Sequence, residues 1–301
     1  MNYLIKISFL LLTLFILYSC DKPSPTELVD GSIQDDNIEV EVIAKDTEDE
    51  FYSNGFDTSG VSQNQINSII SITGGKITVL GQTEKYSIAQ TIIYDKSNPV
   101  YNSLGRLIGY KTITPGTIRF NNLLTRLVDF RIKYRDAGQI LDTLLGKKYV
   151  LYKGRGFFQD SFEFPYNSQV SFSFNPLIGN TVNFNVPTPV EVTGTVRIEG
   201  NRVQRNLKAI LEWNGTNNPY FSIIIGAGKR NSREVFPLYR IKTSDDGRLI
   251  IPSKLLMDIS RDRFDRLSFT FIRSFDNREN LNEHNVFVSS QSIHTIYIAL
   301  P

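Results

Sequence analysis

Reactive side chains are scarce in this chain, which has one cysteine, one tryptophan and two histidines, His284 and His294, among 301 residues. A single cysteine makes no intramolecular disulfide, so the chain is neither a disulfide scaffold nor a multi-cysteine metal module. Neither histidine has a ligating partner at i+2 or i+4, so no zinc motif is present. A serine or cysteine hydrolase needs a base beside its nucleophile, and no Gly-x-Ser-x-Gly elbow occurs, so neither class is expected. Charge of one sign is also lacking. With 33 basic and 31 acidic residues the net is +2, and nucleic acid is not expected as a partner. The apolar run Ile7–Tyr18 is shorter than the roughly 20 residues that cross a bilayer as a helix.

What is present is ordinary globular material. Hydrophobic residues make up 41% and charged residues 21%, which suits a folded chain with a substantial core, and the length suits two ordinary domains.

The N-terminus carries Lys6, then the apolar run, then Ser19 and Cys20. That order is a secretory signal with its cleavage site at a small residue. Leu17-Tyr18-Ser19-Cys20 resembles the lipobox of bacterial lipoproteins, in the relaxed form seen in Bacteroidota-like sequences, with Tyr18 bulkier than the usual residue. The resemblance implies cleavage between Ser19 and Cys20, acylation of the Cys20 sulfur with palmitate-type chains, and a protein tethered to a membrane of the cell envelope, the outer membrane being favoured. Two or three chains at about 0.8 kcal/mol per buried CH2 give durable anchoring.

The near-zero net charge hides an uneven distribution. Residues 21–50 hold eleven acids against Lys22 and Lys45, a net of −9, whereas residues 51–301 carry +10. The stretch from Cys20 to Asn37 has little to bury and reads as an acidic, solvated tether that self-repels. The basic body points to an anionic glycan or an envelope protein as partner.

Period-2 alternation dominates the rest. Val190, Val192, Val196 and Ile198 share a face, as do Leu207, Ala209, Leu211 and Trp213, and strand patterns recur through Ile293–Leu300 with Asn, Asp and Gly turns between them. Seven short strands at this spacing predict an Ig-like sandwich over residues 188–301. The segment Asp245–Leu256 resembles one found in secreted bacterial proteins with Ig-like domains, which agrees with that fold and implies no activity. Residues 38–187 read as a second, larger β-sandwich, with Gly74-Gly75 as a hairpin turn and Pro187-Thr188-Pro189 as the boundary. In Phe130–Arg135 the bases Arg131, Lys133 and Arg135 alternate with Phe130, Ile132 and Tyr134, as on a half-buried strand. Ser253 is expected to cap a short helix over Lys254–Ile259. The predicted class is therefore all-β: a signal at 1–19, a tether at 20–37, and sandwiches at 38–187 and 188–301.

Candidate chemistry is thin. His294 shares parity with Ile296 and Ile298 and reads as packed, and His284 reads as a loop residue. Asp160 and Glu163 flank Phe162 near Phe157, Phe158 and Phe164, the one place where acids sit among several aromatics. Asp245-Asp246-Gly247 reads as a turn, since the oxygen-ligand pattern of an EF-hand is not met. Gly226-Ala227-Gly228-Lys229 lacks phosphate-loop spacing. Tyr220, Phe221 and Trp213 are candidates for stacking on sugar, Trp213 more simply as core. The sequence therefore leads to a non-enzymatic binding, adhesion or assembly module without metal or cofactor. The alternatives are a carboxylate-dependent glycan hydrolase and an accessory subunit of an outer-membrane transport or secretion complex.

Overall fold

In a computed structural model of the protein, the described residues are 39–42, 66–136, 139–154, 160–229, 235–281 and 284–301. The expected signal and tether, with Ser19 and Cys20, lie outside them, as do Phe157, Phe158 and the His284 side chain.

The alternating pattern folds as strands. The first eight are β1 (Glu39–Val42), β2 (Ser68–Val79), β3 (Gln82–Tyr101), β4 (Leu107–Thr112), β5 (Gly116–Phe120), β6 (Leu123–Leu124), β7 (Arg126–Asp136) and β8 (Gln139–Lys153). They are followed by β9 (Gln169–Pro176), β10 (Val182–Pro187), β11 (Gly194–Glu199), β12 (Lys208–Trp213), β13 (Phe221–Lys229), β14 (Val235–Lys242) and β15 (Arg248–Ile251). After the short helix α1 (Ser253–Met257) come β16 (Phe264–Leu281) and β17 (His284–Ala299). Among the described residues no helix is long and apolar enough to cross a membrane.

One long sheet organises the molecule. Its 10 strands run β1-β14-β13-β16-β17-β2-β3-β8-β7, with β4 paired to β3. The joint is β17 against β2, parallel, with Val288 opposite Ile70 and His294 opposite Lys76. Strands from both sides of Pro187-Thr188-Pro189 thus share a single sheet.

Side chains alternate across a strand, so register decides what each face carries. Ile70, Ile72, Ala89, Leu151, Val286 and Val288 lie on one face. The same face continues as Ile296, Phe269, Phe271, Ile223 and Ile225. Two smaller sheets cover it side by side, giving an all-β sandwich with a shared wall. The 4-stranded sheet β10-β9-β5-β6 covers the first part through Ile118, Phe120, Val170 and Phe172. The 3-stranded sheet β11-β12-β15 covers the second through Ala209, Leu211, Trp213, Leu249 and Ile251. Burying side chains of this size stabilises by roughly 1.5–3 kcal/mol each, and this apolar packing takes the place of the disulfide that the lone cysteine cannot make.

Between the two small sheets the shared face turns polar, with Gly74, Lys76, Ser292 and His294 in register. The crossover joining the small sheets lies there. The Val192 N–H donates to Ser292 Oγ at 2.8 Å and the Gly194 N–H to His294 Nδ1 at 2.9 Å. Lys76 Nζ donates to Thr193 Oγ1 at 2.5 Å and to Glu191 Oε1 at 3.2 Å. The polar atoms on an otherwise apolar wall thereby satisfy the backbone of the crossover.

Four local expectations are corrected. Gly74 and Gly75 sit inside β2, and the turn follows at Leu80 and Gly81, both at positive φ. The glycines are required by close approach, since a Cβ on Gly74 would overlap the Phe164 ring and one on Gly75 the Tyr86 ring. Val190 and Val192 precede β11 and belong to the crossover. Helix α1 has Pro252 at its N-cap with no side-chain cap, because the Ser253 hydroxyl donates instead to the Arg205 carbonyl at 2.9 Å. Asp245 is more than a turn residue, as its burial shows below.

Candidate functional site

On the second face of the long sheet Ile69, Ile92, Phe130, Ile132, Tyr134 and Phe287 form a third cluster at one end. Beyond it, a groove of about 730 Å³ runs between the loop at 217–220, strand β14 and the middle of β16 and β17. A smaller hollow of about 270 Å³ continues it over Tyr86, Gln90, Thr73 and Ser71, sharing Ile272, Phe287, Ser289's neighbour Gln291 and their strands.

The register of β16 and β17 sets the groove's polar centre. Ser274 stands opposite Gln291, and Asp276 opposite Ser289. Asp276 accepts from Ser289 Oγ at 2.6 Å and from Ser274 Oγ at 3.2 Å, so its carboxylate is oriented. Strand β14 adds Arg240 and Lys242. Each meets an acid of β1 in the expected acidic region: Arg240 lies 3.6 Å from Glu41, and Lys242 lies 3.2 Å from Glu39. The buried Thr243 hydroxyl, also on the groove, has no hydrogen-bond partner among the described residues. An unsatisfied buried hydroxyl of this kind costs about 1–3 kcal/mol.

The third wall depends on a fully buried ion pair. Asp245 and Arg273 have no exposed side-chain surface, and their two contacts measure 2.8 and 2.9 Å. Asp245 also accepts from Trp213 Nε1 at 2.8 Å, Thr216 Oγ1 at 2.6 Å and the Asn218 N–H at 3.2 Å. Arg273 donates further to the Asn214 carbonyl at 2.7 Å and to the Val190 carbonyl at 3.2 Å. This pair therefore ties the crossover, Trp213 and the 214–218 loop together. Asn217 sits at φ 57°, a conformation asparagine tolerates, and the Asn218 side chain accepts from the Tyr220 N–H at 2.8 Å. Held this way, Tyr220 is 54% exposed at the groove edge.

Seven carboxyls are held in the charged form by their neighbours. Hydrogen bonds hold the carboxyls of Asp95, Asp129, Asp136, Glu163 and Glu199 below their ordinary range. For Glu191 and Asp245 burial opposes the charge, and hydrogen bonds from Lys76 and from Arg273 outweigh it. A glycosidase acid requires the opposite shift, upward. Burial and the neighbouring Lys76 push His294 down to about 4, so its imidazole is neutral. Because Nδ1 accepts from Gly194, the proton is on Nε2, which donates to Thr78 Oγ1 at 2.9 Å.

The residues singled out from sequence are dispersed. Asp160 accepts from the Tyr152 N–H at 2.7 Å and lies 3.5 Å from Arg126, whereas Glu163 pairs with Lys153. Phe162 and Phe164 are buried under the four-stranded sheet. His294 is in the seam, on the face away from the groove. Trp213 and Phe221 are buried and stacked, with ring centroids 4.8 Å apart; Phe221 and Tyr220 both line the groove, and of the three Tyr220 is the exposed one. Gly226–Lys229 belong to β13. No group of three or more His, Cys, Asp and Glu side chains is gathered for a metal among the described residues. Sequence reading missed Asp276, Gln291, Ser274, Arg240 and Lys242. The available signal was Ser289-Ser290-Gln291-Ser292, polar at both parities within a strand. Comparison with protein-family models, with curated proteins and with solved structures found no match.

Proposed function

We propose that the protein is a non-enzymatic binding module, held at the bacterial cell envelope by lipid on Cys20, whose groove on the second face of the long sheet takes a segment of polysaccharide. The observation that carries this reading is the grouping of exposed Tyr220 with Asp276, Ser274, Gln291 and Asn218 in one groove. A sugar ring offers a C–H face that stacks on an aromatic ring and a rim of hydroxyls that need donors and acceptors. The groove's volume falls within the range of about 300–1,000 Å³ usual for small-ligand sites. Arg240 and Lys242 add N–H donors at the groove while each is paired with an acid of β1, and the Asp245–Arg273 pair fixes the loop beforehand, which lowers the ordering cost of binding. Anchoring and an outer-membrane address rest on the lipobox-like Leu17–Cys20.

The test is binding of the full chain to a panel of neutral and acidic envelope polysaccharides, with Tyr220→Ala and Asp276→Asn alongside. At least a tenfold loss in each variant is expected. Unchanged binding in both variants, or binding to no polysaccharide, overturns the proposal.

A further inference from the structure

Charge is missing from one stretch of the folded body. Residues 164–190 hold no Asp, Glu, Lys or Arg, although charged residues make up 21% of the chain. The stretch contains β9, β10 and the turn between them, so a whole hairpin is neutral. Polar neighbours build the turn. Thr181 Oγ1 donates to Asn175 Oδ1 at 3.0 Å, the Leu177 N–H donates to the Pro115 carbonyl at 2.8 Å, and Gly179 supplies the positive φ, 107°. None of these contacts uses the side chains at the tip, and there the sequence places two aliphatic residues: Leu177 is 83% and Ile178 93% exposed. Lone apolar side chains at turns are ordinary, as Leu80 and Val203 illustrate. At this turn the apolar surface continues. Pro176 and Val182, at the two ends of the turn, line a cleft of about 490 Å³ together with Pro115 and Ile113, itself 43% exposed.

We infer that the turn between β9 and β10 contacts a lipid bilayer, with Leu177 and Ile178 entering the hydrocarbon boundary while Asn175, Asn180 and Thr181 stay among the headgroups. Aliphatic side chains gain by leaving water for lipid, and a charge carried in with them would resist; the neutral hairpin carries none. A protein partner is the poorer fit, because the centres of protein interfaces favour Arg and aromatic side chains, and this tip offers neither. Reach favours the bilayer as well, on the proposed reading of Cys20 as lipid-bearing. The 19 residues from Cys20 to Glu39 extend at most about 65 Å. The anchor therefore holds the body over the membrane at a high effective concentration, where two inserting side chains are enough.

Cys20→Ser removes the one native thiol, so Ile178→Cys in that full chain takes an environment-sensitive nitrobenzoxadiazole label at the tip alone. With phosphatidylcholine vesicles the emission should shift to the blue, at least double, and be quenched by lipids brominated along the acyl chain. The response should persist at about 1 M salt, because no charge takes part. The same label at Val203→Cys, equally exposed between β11 and β12, should show neither shift nor quenching. Leu177→Asp beside the label at 178 should cut the response at least fivefold, with circular dichroism confirming the fold. Equal responses at 178 and 203, a shift that survives Leu177→Asp, or an unshifted label at 178 overturns the membrane contact, the last of these leaving the tip to a protein partner. Palmitate incorporation at Cys20 and polysaccharide binding by Tyr220→Ala are read separately, so failure of the anchor or of the groove is told apart from failure of the tip.

Discussion

Arg273 grips Asp245 through two hydrogen bonds, at 2.8 and 2.9 Å, where neither side chain meets solvent. Removing one partner of a buried pair strands the other's charge, at a cost of about 3–5 kcal/mol. Arg273→Met should therefore lower the melting temperature by about 6 °C or more. Asp245→Asn added to it should recover part of the loss. A single variant melting within about 2 °C of the parent would contradict this role for the pair.

The same pair governs acid stability. Asp245 is held below its ordinary pKa, so its contribution is present above the unfolded carboxyl value and is lost as pH falls through the folded value. His294 acts at higher pH. Its folded pKa of about 4 lies below the unfolded 6.5, so the unfolded chain takes up the proton first and stability falls between those two values. Protonation would also remove the acceptor for the Gly194 N–H and place a second cation beside Lys76. His294→Gln should flatten the melting temperature between pH 6.5 and 4 relative to the parent. A parent profile already flat across that window would rule the mechanism out.

Close approach at Gly74 gives a packing test. Gly74→Ala places a methyl group in the Phe164 ring and should destabilise by about 1–3 kcal/mol, as overpacking does. Gly81→Ala meets open space and only strains a residue at φ 81°, so its cost should be the smaller. Denaturant melts that rank the two the other way would show that the ring moves aside freely.

Much of the strand content was legible because Phe130, Ile132 and Tyr134 alternate with Arg131 and Lys133, and burial follows that parity. Pairing partners were not legible. The parallel contact of β17 with β2 joins residues more than two hundred apart, and no local pattern encodes it. Gly74-Gly75 carries the composition of a turn, and only the rings of Phe164 and Tyr86 reveal why glycine is needed inside a strand. Asp245 likewise has the neighbours of a turn residue, while its charge is fixed by an arginine 28 positions away. The groove escaped notice for the same reason, since Tyr220, Arg240, Asp276 and Gln291 come from separate strands and loops.

Lipidation makes a prediction independent of the fold. Cys20→Ser should move the protein from the membrane fraction to the soluble fraction and abolish incorporation of radiolabelled palmitate. Continued membrane retention of that variant would remove the basis for the anchor.

The most direct measurement is hydrogen–deuterium exchange of the full chain with and without a saturating polysaccharide identified from the panel. Binding in the groove predicts slowed exchange at 217–220, 240–244 and 274–278, with the 176–182 turn unaffected. Protection confined to other segments, or none at a saturating concentration, would contradict the assignment of the groove as the recognition surface.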